Sequence, residues 1–225
     1  MFLTKMPINA RRRDAQRLMA SPQVMHAAVM AGFADYRPTE DARVLWRLDT
    51  YDRHRVVLYT VSPEKPDFTH LVEQAGWPTT QTWQTRPYGA VLDKLRDGQR
   101  WLFRLTANPA HSVRLPDWSD TKPLGHVTVK QQEQWLIDRS ARAGFRLVSC
   151  AADDAAGYDL SVVDRTVRQF RRSGGRVTIA MATFEGQLEV TDAMAFRRVL
   201  TAGIGRAKAY GCGLLTVAPV VQSRT

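Results

Sequence analysis

His26 follows Ser21-Pro22-Gln23-Val24-Met25 directly, and that spacing gives it chemistry to do. Serine is a good N-cap and proline suits the first helical position, so a helix starts at Ser21-Pro22 and runs to about Ala31, where Gly32 ends it. His26 then stands on the second turn. Just before it lie positions 22–24, whose backbone groups sit at the positive end of the helix and favour a phosphate. Imidazole titrates near neutrality and serves as either general base or general acid. A phosphate beside it suits RNA cleavage by the adjacent 2′-hydroxyl. That reaction needs a base for the hydroxyl, an acid for the leaving 5′-oxygen, and charge stabilisation. Gln23 can hydrogen-bond a phosphate or hydroxyl but exchanges no proton at neutral pH. A lone helical histidine is more often structural or simply exposed, and spacing alone leaves both readings open.

The second chemical stretch is Gly203-Ile204-Gly205-Arg206-Ala207-Lys208-Ala209-Tyr210-Gly211-Cys212-Gly213, followed by the apolar run Leu214 to Ala218. Glycine permits positive φ and close approach of a ligand to the main chain. Arg206 and Lys208 beside free N–H groups suit a phosphate cradle. A dinucleotide fingerprint needs strand, glycines, then helix, and a Walker A loop needs Gly-Lys-Ser/Thr. Here a helix-like segment precedes the glycines and a strand-like one follows, so neither motif fits. A glycine-rich connection that binds nothing is the plain alternative.

The loop's form, G-x-G-x-x-K-x-x-G-x-G-L-L, resembles that of the repeat-associated CRISPR RNA endonucleases, of the CasE (Cse) type that serves the multisubunit Cascade complex. Ala20 to His26 and Ala182-Thr183-Phe184-Glu185-Gly186-Gln187-Leu188-Glu189-Val190 agree with the same family. The three motifs lie in family order across almost the whole chain. The resemblance implies a metal-independent endoribonuclease with no cofactor, His26 being catalytic. It implies cleavage of CRISPR repeat RNA beside a hairpin, leaving a 2′,3′-cyclic phosphate and a 5′-hydroxyl. It also implies retention of the mature guide RNA among the other Cascade subunits. Relatives often carry tyrosine where Gln23 stands and cations soon after the histidine, whereas Ala27, Ala28 and Met30 carry no charge. The second acid or base is thus unassigned, with water or a cation from Arg11–Arg13 as candidates. A non-catalytic RNA-hairpin-binding subunit of the same fold is the alternative from another class.

The charge supports a polyanion partner. The chain of 225 residues has a formal net charge of +10. Residues 1–17 carry +4 through Lys5, Arg11, Arg12, Arg13 and Arg17 against Asp14. Residues 160–176 carry +4 through Arg165, Arg168, Arg171, Arg172 and Arg176 against Asp164. Residues 203–225 add +3, so the rest of the chain nets −1. An excess confined to three segments suggests an electrostatic footprint for a polyanion, with solvated charged faces as the plain alternative. Arginine forks hold phosphates bidentately, and a basic hairpin suits an A-form stem whose phosphates carry most of the affinity. In relatives this hairpin contacts the RNA, so the resemblance extends the role to Arg165, Arg168, Arg171 and Arg172.

No apolar run approaches the roughly 20 residues of a membrane span, and no signal-peptide pattern opens the chain. A cytoplasmic location is the expectation. Cys150 and Cys212 are too few for a disulfide framework and lack zinc spacing. His54, His70, His111 and His126 show no i, i+4 pairing and no accompanying carboxylate cluster, so each reads as surface or structural and no metal is expected.

These residues need elements to hold them. Phe2 to Ile8 reads as a strand, Asn9 to Arg13 as a basic loop, then the helix of His26. Val44 to Leu48 and Val56 to Ser62 read as strands, Asp67 to Ala75 as a helix closed by Gly76, and Thr80 to Tyr88 as a strand. That βαββαβ order is the ferredoxin-like unit. Arg100 to Leu105 opens a second series: a helix Gln131 to Ala143 capped by Gly144, a strand Phe145 to Cys150, and long β runs 158–170 and 176–184 joined at Ser173-Gly174-Gly175. A short strand then precedes a helix 192–202, and a last strand covers 214–220. The expected fold is therefore α+β: two tandem ferredoxin-like domains, 1–95 with His26 and 99–225 with an extended basic β-hairpin and the glycine loop. Trp46, Trp101 and Trp135 are predicted core. Trp77, Trp83 and Trp118 are left open to base stacking.

Overall fold

The computed structural model describes residues 1–34, 36–39, 42–77, 82–114, 122–152, 155–172 and 175–220. Trp118 and the Ser173-Gly174 turn fall outside them. The fold mixes helices with antiparallel sheets.

In the first half, β1 (Phe2–Ile8) leads through α1 (Arg13–Ala20) and α2 (Pro22–Met30) to β2 (Leu45–Thr50) and β3 (Val56–Ser62). Then come α3 (Thr69–Ala75), β4 (Gln84–Pro87) and a single turn, α4 (Gly89–Leu92). The sheet order is β2-β3-β1-β4. Met6, Ile8, Trp46, Val56 and Leu58 project from one face onto Met25 and Val29 of α2, Leu71 of α3 and Phe68 just before it. Strand alternation places their neighbours on the opposite face.

The expected loop at Asn9–Arg13 gives way to α1 from Arg13 onward. This helix was hidden because it buries only Ala15 and Leu18 and its N-cap, Arg12, makes no side-chain cap bond. Ala15, Leu18 and Met19 keep helical spacing, but across eight residues with an arginine as N-cap the start of the helix is unmarked.

In the second half, β5 (Arg100–Ala107) is followed by the hairpin β6 (Ala110–Val113) and β7 (Lys122–Gly125). α5 (Val129–Ser140) carries a capping box between Thr128 and Gln131 and ends in a 3-10 turn (Ala141–Ala143) before Gly144. β8 (Phe145–Leu147), β9 (Ser149–Ala152) and β10 (Ala155–Tyr158) lead to the long pair β11 (Leu160–Arg172) and β12 (Gly175–Val190). α6 (Ala193–Ala202), a 3-10 turn (Lys208–Tyr210) and β13 (Leu215–Pro219) complete the chain. The sheet order is β11-β12-β5-β13, with β8 added to the lower end of β12. No separate strand precedes α6, because β12 runs unbroken to Val190.

β12 pairs with β5 only from Ala182 to Glu189. Its upper part, 175–181, pairs with β11, so the basic hairpin projects beyond the sheet. One core cluster joins Phe145, Phe184, Phe196 and Trp135 of the second half to Leu45 and Val61 of the first. The two halves thus share buried apolar surface.

Candidate active site and nucleic-acid interface

α2 is fixed on three sides. Met25 and Val29 are buried in the core of the first half, and His70 Nε2 on α3 lies 2.8 Å from the Ala28 carbonyl. The helix also packs against the Lys208–Tyr210 turn and against β11. Gln23 and His26, three residues apart, share a helix face beside that buried stripe. Both are half-buried, with Gln23 Oε1 and His26 Nδ1 out of solvent. Gln23 Oε1 has no hydrogen-bond partner among the described residues.

The helix N-terminus is less open to an anion than its sequence implies. Ser21 Oγ accepts from the Val24 N–H at 3.4 Å, and Pro22, itself buried, brings no N–H. The Gln23 amide is the one group of positions 22–24 that an anion can still use.

The glycine loop folds back on itself: Ile204 N donates to Gly213 O at 3.0 Å and Gly213 N to Thr106 O at 2.7 Å. Its glycines face bulky neighbours. A Cβ on Gly203 would lie 2.9 Å from Leu45, one on Gly205 3.0 Å from the Trp135 ring, and one on Gly211 2.7 Å from the Trp46 ring. Close approach to tryptophan, inside the protein, is thus the first demand these glycines meet. Gly211→Ala adds a φ of +81° to that clash and should destabilise the fold by about 2–4 kcal/mol, read by thermal unfolding. An unchanged midpoint would mean that Trp46 moves aside at no cost.

On the outer side of the loop, Arg206 is exposed and donates from Nη2 to Ser112 Oγ at 2.9 Å. Lys208 is half-buried. Burial, reinforced by the nearby charge of Arg43, holds its ammonium below the usual lysine range. The Tyr210 ring lies 4.7 Å from that of Phe170 on β11, linking loop to hairpin. Between them and α2 is a cavity of about 140 Å³ lined by Pro22, Met25, Thr166, Arg168, Tyr210 and Gly211. Three stretches far apart in sequence therefore meet: the His26 helix, the glycine loop and the basic hairpin.

The family model for "CRISPR associated protein" matches residues 1–219. The chain belongs to this family. It is 31% identical to the CRISPR-associated endoribonuclease Cse3 of Thermus thermophilus, over 97% of this chain and all of that protein. It is 28% identical to the CRISPR system Cascade subunit CasE of Escherichia coli K12, over 78% of this chain and 94% of that protein. Among solved structures, Cse3 bound to 19 nt RNA superposes with a TM-score of 0.80 at 31% identity, covering 97% of this chain and all of that one.

Within this CRISPR-associated protein the predicted basic residues fall into distinct settings. Arg11, Arg13 and Arg17 are exposed. Arg12 instead turns inward: its guanidinium donates to the carbonyls of Val72 and Gly76 at 3.4 Å and also to that of Glu73, closing the C-terminal end of α3. On the hairpin, Arg168 and Phe170 face α2 and the loop, whereas Arg165 and Arg171 alternate to the other side. Arg165 donates to the Val127 carbonyl there. Arg172 pairs through its backbone with Gly175 at the top of the hairpin.

Two features escaped the sequence. The rings of His111 and His126 stand 4.7 Å apart, and burial, aided by His111 and Arg139, keeps His126 below the ordinary histidine value. Fifteen residues with a strand reversal separate them, so no spacing rule could pair them. The second is Arg47, 2% exposed, whose guanidinium spans both halves. Trp46 and Trp135 are core as predicted, while Trp101 is half-buried, Trp83 packs edge-on against Phe68, and Trp77 is exposed. Among the described residues His, Cys, Asp and Glu side chains form no cluster of three or more that could hold a metal ion, and no helix is long and apolar enough to cross a membrane.

Proposed function

We propose that the chain is a metal-independent endoribonuclease of the cytoplasm that cleaves CRISPR repeat RNA beside a hairpin and keeps the processed guide RNA within a Cascade-type complex. Its frame is two tandem ferredoxin-like units, residues 1–95 and 99–225. The strand order β2-β3-β1-β4 in the first supports this, as does β8-β12-β5-β13 in the second, with the basic hairpin added. The observation that carries the reading is the meeting of the His26 helix with the basic hairpin and the glycine loop around one cleft. It gains weight from 31% identity along the whole of a protein named as an endoribonuclease.

In this mechanism His26 moves the proton, as base for the 2′-hydroxyl or acid for the 5′-oxygen. Gln23 Oε1, buried and without a partner among the described residues, accepts from the substrate and so orients it. The 2′-oxygen attacks the phosphorus, the P–O5′ bond breaks, and a 2′,3′-cyclic phosphate and a 5′-hydroxyl remain. Lys208, Arg206 and the exposed arginines Arg11, Arg13, Arg17, Arg168 and Arg171 hold phosphates and offset the developing charge. Arg172 joins them at the end of the hairpin, and Arg12, Arg165, Gly203 and Gly205 shape the surface that carries them.

The test uses the cognate repeat hairpin in excess chelator, beside RNA with a single 2′-deoxy sugar just upstream of the cut. Unmodified RNA should be cut to the cyclic product, and the deoxy RNA should bind and stay whole. Cutting that needs magnesium, or that survives the deoxy sugar, would mean a hydrolytic nuclease. Binding without cutting of either RNA would mean a non-catalytic subunit.

A further inference from the structure

The open face of the first sheet, turned away from α2 and α3, carries a second basic groove. Across it run Lys5 of β1, Tyr59 of β3 and Gln84 of β4, with His54, Arg55 and Trp77 at one end, enclosing about 840 Å³. His54 and Trp77 also line an adjoining hollow with Asn9 and Arg11, so the two form one trough. Among the described residues neither lining includes a carboxylate. The nearest acid in sequence, Asp52, is held by the His54 and Arg55 amides, at 2.7 and 2.8 Å from its Oδ1. Lys5, Arg11, His54 and Arg55 are exposed.

Aromatic groups are interleaved with these cations. Trp77 is 36% exposed although tryptophan is normally buried, and Tyr51 is 46% exposed. The Arg55 guanidinium lies 4.7 Å from the Tyr51 ring centroid at the edge of the trough. The Tyr51 and Tyr59 hydroxyls are 3.2 Å apart, which fixes Tyr59 at the trough wall. Cations at intervals along an open groove, with π faces between them and no acid in the lining, match a flexible polyanion whose bases stack. A protein partner would be expected to meet charge of both signs.

We propose that this trough binds single-stranded RNA, with phosphates on Lys5 and Arg55 and a base stacked on Trp77. It rests on the reading of the chain as an RNA-processing protein but lies on the sheet face opposite the His26 helix. In that setting its natural occupant is the unpaired RNA flanking the hairpin.

The probe is an unstructured, labelled oligouridylate of about ten nucleotides containing 4-thiouridine, which has no stem to cleave. Wild type and His26→Ala should bind it equally, so a failure of the cleavage reading leaves the test intact. Trp77→Ala should weaken binding by about 5- to 150-fold, with Trp77→Phe restoring much of it. Lys5→Glu with Arg55→Glu should weaken it by at least about tenfold and flatten the salt dependence. Photo-cross-links should map to residues 51–59 or 77. Unchanged affinity in both trough variants, each shown folded by circular dichroism, overturns the proposal and leaves a protein as the occupant of the groove. Cross-links confined to 160–190 overturn it too, placing the strand on the hairpin.

Discussion

Replacing His26 by alanine should leave affinity for the repeat hairpin intact while slowing its cleavage by about 10²–10⁴-fold, the usual contribution of one general acid or base. Affinity is kept because the cations expected to hold phosphate lie on α1, the hairpin and the glycine loop rather than on α2. Stability should also be kept, since His26 is only half-buried and the packing of α2 rests on Met25 and Val29. Gln23→Ala should cost less, because hydrogen-bonding support is lost rather than proton transfer. Single-turnover cleavage with saturating protein separates the two steps. Full activity in His26→Ala would move the catalytic centre elsewhere; loss of binding in step with loss of rate would make His26 a binding group.

Arg47→Met should be the substitution most damaging to stability. All five N–H donors of Arg47 are used: Nε and Nη2 donate to the two Asp49 oxygens at 2.7 and 2.8 Å, Nη1 to the carbonyls of Arg104 and Leu214 at 2.8 and 2.9 Å, and Nη2 also to Thr216 Oγ1 at 2.9 Å. Asp49 is 1% exposed. Without Arg47 its charge keeps, among the described residues, only Arg104, whose Nε lies 3.2 Å away. Breaking one side of such a pair costs about 3–5 kcal/mol, which lowers the unfolding midpoint by about 6–20 °C in a chain of this size. Arg47→Met with Asp49→Leu should recover most of that loss, because no charge is then stranded. A single variant within about 1 kcal/mol of wild type would show that water reaches Asp49 and replaces the guanidinium. The link ties β2 to β5 and β13, so this loss should also loosen the cleft that lies between the halves.

The sequence by itself determined the elements that local chemistry controls. Ser21-Pro22 set the start of α2 through an N-cap and a proline that needs no N–H. Gly76 and Gly144 set the ends of α3 and of the α5 region, a β-branched run set β3, and apolar alternation with aromatic residues set β5. Family order of three motifs gave the kinship, and charge clustering gave a polyanion as partner. Where the local signal was weak, the elements were missed, as with α1 and its two buried residues.

What the tertiary structure alone decided is which face each residue shows. Arg47 stands in a strand, Val44 to Leu48, where alternation would send a charge to water; here the second half covers that face, and Arg47 is buried with every donor satisfied. Arg12 sits in a run of three arginines that read alike, yet only Arg12 reaches the α3 carbonyls. The glycines of 203–211 were visible as glycines, but Leu45, Trp46 and Trp135, which require them, come from other elements. Long-range packing brings such partners together across 57 residues or more, from Arg47 to Arg104 at the shortest, and no spacing rule along the chain encodes a neighbour that only folding supplies.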